Sequence, residues 1–338
     1  MPSITIAGAG ALGLTTALAL ARAGCSVTVF DPSATGGNAS RVAAGMLAPA
    51  FEAVMDPLMA RHSDVLMAAR NLWADLEANL GIPIDRSGAA ALGSPGFLHE
   101  VDEKLRRLGL YPTQMPRRTL EAMAPGLSAS FEMAVLSRED WRIDPTTTLA
   151  ALRRGANAAG VRFRDHAAEG LEGADQLIVA TGMAQGLASL APALRYLTPI
   201  KGQIIRVRAE ASPGLVLRTE NGYCAGIEGG YLVGATMELG RDDTAIDPEA
   251  TSQLRTLGVE LFPQVGEGGF VAQAGVRAAT PDGLPLVGRT SDQKVLLAVG
   301  ARRNGWLLAP LVAKIITNCV MEREPGPYSS RFDPMRFG

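Results

Sequence analysis

Apolar and polar positions near the start of the chain alternate in blocks that predict a strand, a helix and a second strand. Residues 4–7 form a short apolar run typical of a buried strand, and residues 11–23 are rich in alanine and leucine at helical spacing. Residues 26–30 form another apolar run, which ends at Asp31. This order indicates a βαβ unit.

Downstream, the spacing of the apolar residues changes twice. In chain order it predicts a loop (32–49), one long amphipathic helix (58–80) closed by Gly81 and Pro83, short strands with a charged helix near 98–108, a helix from Asp144 to 159, and strands at 161–163 and 176–180. We expect residues 84–141 to be an inserted part of a second domain, after which the first domain resumes.

Beyond Pro199 the apolar residues alternate with polar ones, which predicts an antiparallel sheet. Two apolar runs flank Glu228, Gly229 and Gly230 like the arms of a hairpin. The remaining predicted elements are a helix over 248–261, strands at 270–276 and 295–299, and a final helix from 305 to about 320.

Composition and charge exclude several classes of protein. With 338 residues, 47% of them hydrophobic, the chain can bury a sizeable core of one or two domains. The net charge of −2 and the absence of long basic runs argue against a nucleic acid or an anionic membrane as a partner. The opening residues lack a secretory signal and no apolar run reaches the ~18 residues of a membrane span, so we expect a cytoplasmic protein.

Cysteine and histidine offer little reactive chemistry. Cys25, Cys224 and Cys319 are odd in number and far apart, which argues against a disulfide framework. Three histidines lie outside any motif, so neither a metal site nor a histidine base is indicated: His62, His99 and His166.

The first motif with chemical meaning is a GxGxxG sequence at Gly8, Gly10 and Gly13, between a predicted strand and a predicted helix. Gly8 permits a tight turn, Gly10 lets the backbone approach a pyrophosphate, and Gly13 lets the helix pack closely, while the helix N-terminus offers N–H groups to the anion. Asp31, at the end of the next strand, would accept hydrogen bonds from ribose hydroxyls. The motif predicts a dinucleotide and disfavours NADP; both FAD and NAD fit it.

A second feature is Arg277, which has no acidic residue within four positions on either side. The counter-charge of this guanidinium must come from elsewhere in the fold or from a ligand.

Eight segments occur in the order seen in the D-amino-acid oxidase family of flavoproteins, which the chain resembles over nearly its whole length. They are GAGALGLTTALALARAGCSVTVFD (8–31), SRVAAGMLAP (40–49), WRIDP (141–145), VATG (179–182), KGQ (201–203), GATME (234–238), GVRAATPDGLPLVG (275–288) and RNGWLLAP (303–310). Within the family the chain looks most like the glycine oxidases of thiamine biosynthesis.

The resemblance implies non-covalently bound FAD and an α/β fold with two discontinuous domains. A Rossmann-like FAD-binding domain would comprise residues 1–80, 142–198 and 278–338, and a substrate domain built on a mainly antiparallel sheet would comprise 81–141 and 199–277. The positions that match the family's cofactor-binding motifs are Gly8, Gly10, Ala11, Leu12, Gly13, Asp31, Ser40, Arg41, Ala43, Ala44, Gly45, Met46, Thr181, Gly182, Arg303, Asn304, Gly305, Trp306 and Leu307. The N-terminus of the final helix would stabilise negative charge on the reduced flavin.

The resemblance also implies a substrate site. Arg277 matches the family arginine that holds the substrate carboxylate, and Arg303 matches a second arginine that contacts the substrate or the flavin edge. Tyr223 matches a tyrosine that donates its hydroxyl to the carboxylate, with Tyr231 as a competing candidate. The expected apolar pocket residues are Met46, Met237 and Ala301.

Four positions around the expected substrate pocket depart from the family pattern. Ala301 replaces a histidine, Ala278 replaces a proline, Gln273 stands where tryptophan is common, and Cys224 follows Tyr223 where a V-P-R-like stretch is usual. These departures bear on the substrate and the rate more than on the cofactor.

The implied reaction is oxidative deamination of glycine or a small D-amino acid by hydride transfer to flavin N5, which gives an imino acid and, with oxygen as acceptor, hydrogen peroxide. Alternatives are a dehydrogenase or oxidase of another D-amino or N-methyl amino acid and, in another class, a flavin-binding subunit with little oxidase activity. An NAD-dependent dehydrogenase is disfavoured. A homo-oligomer and transfer of the imine to a thiazole-forming enzyme both stay open.

Overall fold

The computed structural model describes residues 1–33, 38–210 and 214–338, so part of the loop expected over 32–49 lies outside the described residues. The strands, in chain order, are β1 (Ser3–Ala7), β2 (Ser26–Phe30), β3 (Met46–Leu47), β4 (Ala89–Ala91), β5 (Thr113–Pro116), β6 (Met133–Ser137), β7 (Trp141–Arg142), β8 (Arg162–Arg164), β9 (Gln176–Val179), β10 (Thr198–Arg208), β11 (Val216–Thr219), β12 (Gly222–Ile227), β13 (Gly230–Gly234), β14 (Glu238–Leu239), β15 (Phe270–Ala279), β16 (Leu286–Arg289) and β17 (Val295–Val299).

The helices, in the same order, are α1 (Ala11–Arg22), α2 (Ala39–Val42), α3 (Pro49–Met55), α4 (Ser63–Asn71), α5 (Trp73–Leu80), α6 (Pro95–Arg107), α7 (Arg117–Met123), α8 (Pro145–Ala158), α9 (Pro248–Leu261), α10 (Gly305–Val320) and α11 (Ser329–Phe332). Short 3-10 turns lie at Ala60–His62, Pro192–Tyr196 and Pro263–Gly266.

The first sheet has six strands in the order β16, β17, β9, β1, β2, β8. Its neighbouring strands pair in parallel, apart from β16, which runs antiparallel to β17. Helix α1 joins β1 to the parallel strand β2, as the first thirty residues predict, and packs against α10. The apolar faces of these helices and strands form one buried core.

The second sheet is mainly antiparallel and has nine strands. Eight follow the order β14, β10, β13, β12, β11, β4, β6, β5, and β15 pairs with β10. The one parallel pair among these described strands is β4 with β11. The predicted hairpin is confirmed: β12 and β13 pair antiparallel around Gly229, whose φ of +75° is a conformation that glycine adopts without strain. The α/β fold class with a second, mainly antiparallel sheet is therefore correct.

The single long helix expected over 58–80 is wrong, since α4 and α5 are separate helices after a 3-10 turn. Helix α3, which begins where the expected loop ends, stops at Met55 because residue 56 precedes Pro57 and a residue before proline avoids the helical conformation. Trp73, fully buried at the start of α5, donates its indole N–H to the carbonyl of Trp306 over 3.1 Å. Gly81 ends α5 in the left-handed conformation, as expected.

The strands of the two sheets can be compared with the division into domains that the family resemblance implies. The strands of the first sheet fall within 1–80, 142–198 and 278–338, and those of the second fall within 81–141 and 199–277, apart from Thr198 and residues 278–279. We retain these boundaries as a proposal. The three cysteines are free, and no helix in the described ranges has the length and apolar character to cross a membrane.

Candidate active site

The GxGxxG turn lies at the carboxyl end of β1, where α1 begins. Gly8 has a φ of +105°, and a Cβ there would collide with the carbonyl of Ala180. A Cβ on Gly13 would collide with the carbonyl of Gly8, so both positions are restricted to glycine by the close approach of β1, α1 and β9. Residue Gly10 is the N-cap of α1 and has no capping side chain, so the backbone N–H groups of the first turn other than that of Ala11, which bonds to Ser40, can face an anion.

Asp31 and Ser40 organise the backbone around this turn. The Asp31 carboxylate accepts from the backbone N–H groups of Ala9 and Ser33, both over 2.6 Å. The Ser40 hydroxyl accepts from the backbone N–H of Ala11 over 3.0 Å, and its carbonyl accepts from the Trp306 indole over 2.9 Å. Helices α1, α2 and α10 thus meet at Ser40.

A cavity of about 1130 Å³ is lined by the second sheet, by helix α9 and by residues within 39–55 and 302–306. One wall carries the small residues expected to face a flavin ring, from Ala43 to Met46. Gly45 has a φ of +73°, and a Cβ there would collide with the carbonyl of Ile143. The opposite wall is the second sheet, with Gly202, Tyr223 and Arg277. This arrangement brings together residues from both ends of the chain.

Arg277, on β15, faces the cavity without an acidic partner. Its Nη1 donates to the carbonyl of Thr236 over 3.1 Å and lies 3.3 Å from the sulfur of Met237. Gly202 leaves room for the guanidinium, because a Cβ there would collide with it. No carboxylate in the described parts of the chain lies within 4.0 Å of this guanidinium.

The electrostatics of Arg277 reflect that lack of a partner. Burial lowers the pKa of its guanidinium; Tyr223 opposes this effect, and the nearby Arg303 and Arg302 add to it. A partly buried cation without a carboxylate partner is costly, so an anion entering the cavity would gain a strong interaction here.

Tyr223 and Tyr231 lie in different surroundings although they belong to the same hairpin. Tyr223 lines the cavity, and burial raises the pKa of its phenol. Tyr231 stacks on Phe262 in a separate core and accepts a hydrogen bond from Gln264 over 2.7 Å. The geometry therefore favours Tyr223 over Tyr231 as a substrate contact.

Arg303 also lines the cavity, but it is held by acidic residues of α3. Its Nε donates to Glu52 over 2.7 Å, and its Nη2 lies 3.1 Å from Asp56. Burial lowers the pKa of Arg303, but the Glu52 and Asp56 carboxylates outweigh burial and the pKa is raised. Arg302 pairs with Asp56 as well. A surface pair, the alternative for Arg303 on sequence grounds, is excluded because both carboxylates are buried.

Sequence reasoning missed the acidic residues of this cluster. Glu52 and Asp56 are four positions apart in an otherwise apolar stretch, a spacing that puts both on one side of a helical turn. The spacing of Glu52 and Asp56 was visible in the sequence. It was not recognised because the stretch follows an expected loop and no helix was predicted there. Arg218 and Arg302 stood outside the matched motifs.

The expected pocket residues are only partly brought together. Met46 and Met237 line the cavity, whereas Ala301 lies in the core of the first domain and pairs through its backbone with Ala279. Leu307 is fully buried in the same core. Asn304, Gly305 and Trp306 line the cavity at the start of α10.

The surrounding fold matches a known enzyme family. A family profile described as "DAO: FAD dependent oxidoreductase" matches residues 3–319. The chain belongs to this family. The resemblance seen in the sequence motifs is thereby confirmed, together with FAD as cofactor.

Sequence identity between this chain and individual members of the DAO family is moderate. The chain is 30% identical to the bifunctional protein ThiO/ThiG of Trichormus variabilis over 99% of this chain and 55% of that protein, so it spans about half the length of that relative. It is 26% identical to the glycine oxidase of Pseudomonas aeruginosa over 95% of each chain. The crystal structure of glycine oxidase from Geobacillus kaustophilus has the same fold, with a TM-score of 0.82, 24% identity and 99% of each chain covered.

The residues of this DAO-family chain fit FAD. The open N-terminus of α1 suits the pyrophosphate, and the small residues 43–45 leave space for a flat ring. Asn304 is 3% exposed and its Nδ2 has no hydrogen-bond partner among the described residues, which is an unmet donor beside the N-terminus of α10. Gly182, with a φ of +63°, and Thr181 follow β9 at the same edge of the sheet.

Proposed function

We propose that this chain catalyses oxidative deamination of a small amino acid, glycine or a small D-amino acid. The products would be the imino acid and, with oxygen as electron acceptor, hydrogen peroxide. The observation that carries the proposal is Arg277, a half-buried guanidinium that faces the cavity and has no carboxylate within 4.0 Å in the described ranges.

Arg277 and Tyr223 would position the substrate. A guanidinium donates two parallel N–H···O bonds to a carboxylate, and the Tyr223 hydroxyl would add a third donor beside it. FAD, when bound, supplies the N5 atom that accepts a hydride from the substrate Cα. The role of the two side chains is to hold the carboxylate so that the Cα–H faces the wall formed by residues 43–46.

None of the three histidines is among the described residues that line the cavity. Two of its lining carboxylates already accept hydrogen bonds, Glu52 from Arg303 and Glu238 from Gln203 and Thr236. We therefore propose that the substrate binds with a neutral amine and that the chain contributes orientation and electrostatics.

A relative from Rhizobium etli, 29% identical over 96% of this chain and 98% of that protein, is named "Putative thiamine biosynthesis oxidoreductase ThiO", which supports a link to thiamine biosynthesis. We propose that the imine passes to a separate thiazole-forming enzyme. Mixing the chain with such an enzyme and a carbonyl trap would test this link, since direct transfer would protect the imine from the trap.

An anaerobic flavin-reduction screen tests the main proposal. We expect the FAD-loaded protein to bleach on addition of glycine or a small D-amino acid, and to recover with release of peroxide when air is admitted. Each enantiomer and each N-methyl amino acid is added separately. Bleaching by N-methyl amino acids alone would move the substrate to that class, and a flavin that no amine bleaches would support a flavin-binding subunit instead.

A further inference from the structure

Arg218, on β11, is a second buried cation in the cavity wall. The residue is 7% exposed, and its Nε and Nη2 have no hydrogen-bond partner among the described residues. Its nearest carboxylate oxygen, Oε1 of Glu52, lies 3.6 Å from Nη2, beyond hydrogen-bond distance. A buried guanidinium with two unmet donors is an unusual and costly arrangement.

The carboxylates near Arg218 are engaged with other groups. Glu52 and Asp56 are contacted by three guanidiniums, those of Arg218, Arg302 and Arg303. The neighbouring Asp140 accepts from the backbone N–H groups of Ala50 and Phe51, over 2.8 and 3.2 Å. Arg218 therefore shares its nearest carboxylate, that of Glu52, with Arg303.

Arg218 and Arg277 lie on either side of Tyr223. Arg218 is the direct cross-strand partner of Tyr223 in the β11–β12 pair, so the two side chains share one face of the sheet. On the other side, Tyr223 interacts electrostatically with Arg277. A ligand held by Arg277 and Tyr223 thus has a second cation within reach along the same wall.

We propose that Arg218 is the centre of a second anion subsite, and that the preferred substrate is a small amino acid that carries a second carboxylate. This inference rests on the proposed function, because it assigns the first carboxylate to Arg277. The second carboxylate pairs with the Arg218 guanidinium, whose one carboxylate neighbour within 4.0 Å among the described residues, Glu52, also serves Arg303.

Binding of unreactive acids to the FAD-loaded protein tests the inference. Malonate is compared with propionate, and succinate with butyrate, at equal ionic strength; the members of each pair have the same number of carbons and differ by one carboxylate. The dissociation constants are read from the perturbation of the flavin absorption spectrum. We expect each diacid to bind at least about tenfold more tightly than its monoacid. Equal constants within both pairs would overturn the inference without any variant.

Two variants test whether Arg218 causes the tighter binding of the diacids. Arg218→Lys keeps the charge but loses the planar fork, so the diacid advantage should disappear while the monoacid constants stay the same. Arg206→Lys, on the same sheet but bonded to Gln273 outside the described cavity lining, should keep the advantage. A diacid advantage that survives in Arg218→Lys contradicts the subsite.

Arg277→Lys separates this inference from the proposed function, since it should weaken monoacids and diacids alike. If it weakens neither, the proposed function fails, whether or not the diacid advantage depends on Arg218. D-Aspartate should also reduce the flavin at lower concentration than D-alanine, and this preference should vanish in Arg218→Lys.

Discussion

Arg303 donates to Glu52 across 2.7 Å, although 251 residues separate them in the chain. This bond joins the segment before α10 to α3, and Asp56 strengthens the connection through both Arg302 and Arg303. The wall of the cavity therefore depends on charged contacts between distant segments.

Replacing Glu52 should destabilise the fold. Glu52→Ala leaves Arg303 and Arg218 buried with fewer counter-charges, and breaking such a buried pair costs about 3–5 kcal/mol. We expect a loss of that size in the free energy of unfolding, measured by urea denaturation. Glu77→Ala removes a partner of Arg86 in an exposed pair and should change the free energy by less than about 1 kcal/mol. Similar losses in both variants would contradict a special role for the cluster.

Arg277→Ala should weaken substrate binding, because the guanidinium proposed to bind the substrate carboxylate is lost. Because truncating one partner of a buried charged contact costs about 2–5 kcal/mol, we expect KM to rise by roughly thirtyfold to several thousandfold while FAD stays bound. Steady-state kinetics and the flavin content of the purified variant measure the two quantities. Loss of FAD with an unchanged KM in the remaining holoenzyme would show that Arg277 serves the cofactor instead.

The two tyrosines of the hairpin allow the same substitution to be compared inside and outside the cavity. Tyr223→Phe removes one hydroxyl donor from the cavity and should raise KM by about tenfold, since a hydrogen bond to a charged group is lost. Tyr231→Phe removes the acceptor of Gln264 in the other core and should lower stability by about 1 kcal/mol with KM unchanged. The reverse result would assign the substrate contact to Tyr231.

Asp140 should make stability depend on pH. Burial raises the pKa of its carboxyl to about 7, against the opposing effect of Arg218 and of the N–H groups of Ala50 and Phe51. Between an unfolded pKa near 4 and this folded value, the folded chain binds more protons than the unfolded one, so its stability falls as pH rises through that window. The slope should reach at most about 1.4 kcal/mol per pH unit.

Asp140→Asn should flatten this part of the profile, because the amide does not titrate. Urea denaturation of both proteins at several pH values from about 4 to 8 measures the difference. A native profile with the same slope as that of Asp140→Asn would show that other groups cause the pH dependence.

Gly10→Ala should separate cofactor binding from folding. Gly10 has a φ of −76°, and the nearest atom to an added Cβ is the Ser40 hydroxyl at 3.1 Å, so alanine fits with a small shift. The methyl group would stand where the pyrophosphate approaches the backbone, and we expect FAD content to fall by more than about tenfold. Gly96→Ala, with nothing within 4 Å of its added Cβ, should keep its FAD. Full FAD content in Gly10→Ala would contradict the predicted pyrophosphate position.

The sequence predicted those elements whose signals are local. Helix α9 begins at Pro248 and ends at Leu261, and α10 begins at Gly305, as the capping residues and apolar spacing indicate. The break between α4 and α5 was not predictable, because the apolar spacing continues through Leu72 and the packing of Trp73 against α10 comes from a distant segment.

The residues of the site differ in the same way: some carry a local sequence signal, and others depend on distant partners. Motif residues such as Gly8, Gly45 and Arg277 lie in the turn or at the cavity, and their roles stay predictions. Ala301 was misplaced as a pocket residue because its neighbours in sequence do line the cavity, whereas its own methyl group points into the core. The role of Glu52 depends on partners in β11 and before α10, and no local pattern reports such partners.

Backbone hydrogen bonds join the strand that carries Arg277 to the segment that carries Arg302. Ala279 pairs with Ala301, and the N–H of Arg302 donates to the carbonyl of Ala278 over 2.8 Å. Main-chain bonds between a strand of one sheet and the segment before α10 do not depend on side-chain identity. Substitutions elsewhere in the cavity wall can therefore change which amine the proposed site accepts while Arg277, the proposed anchor of its carboxylate, stays in place.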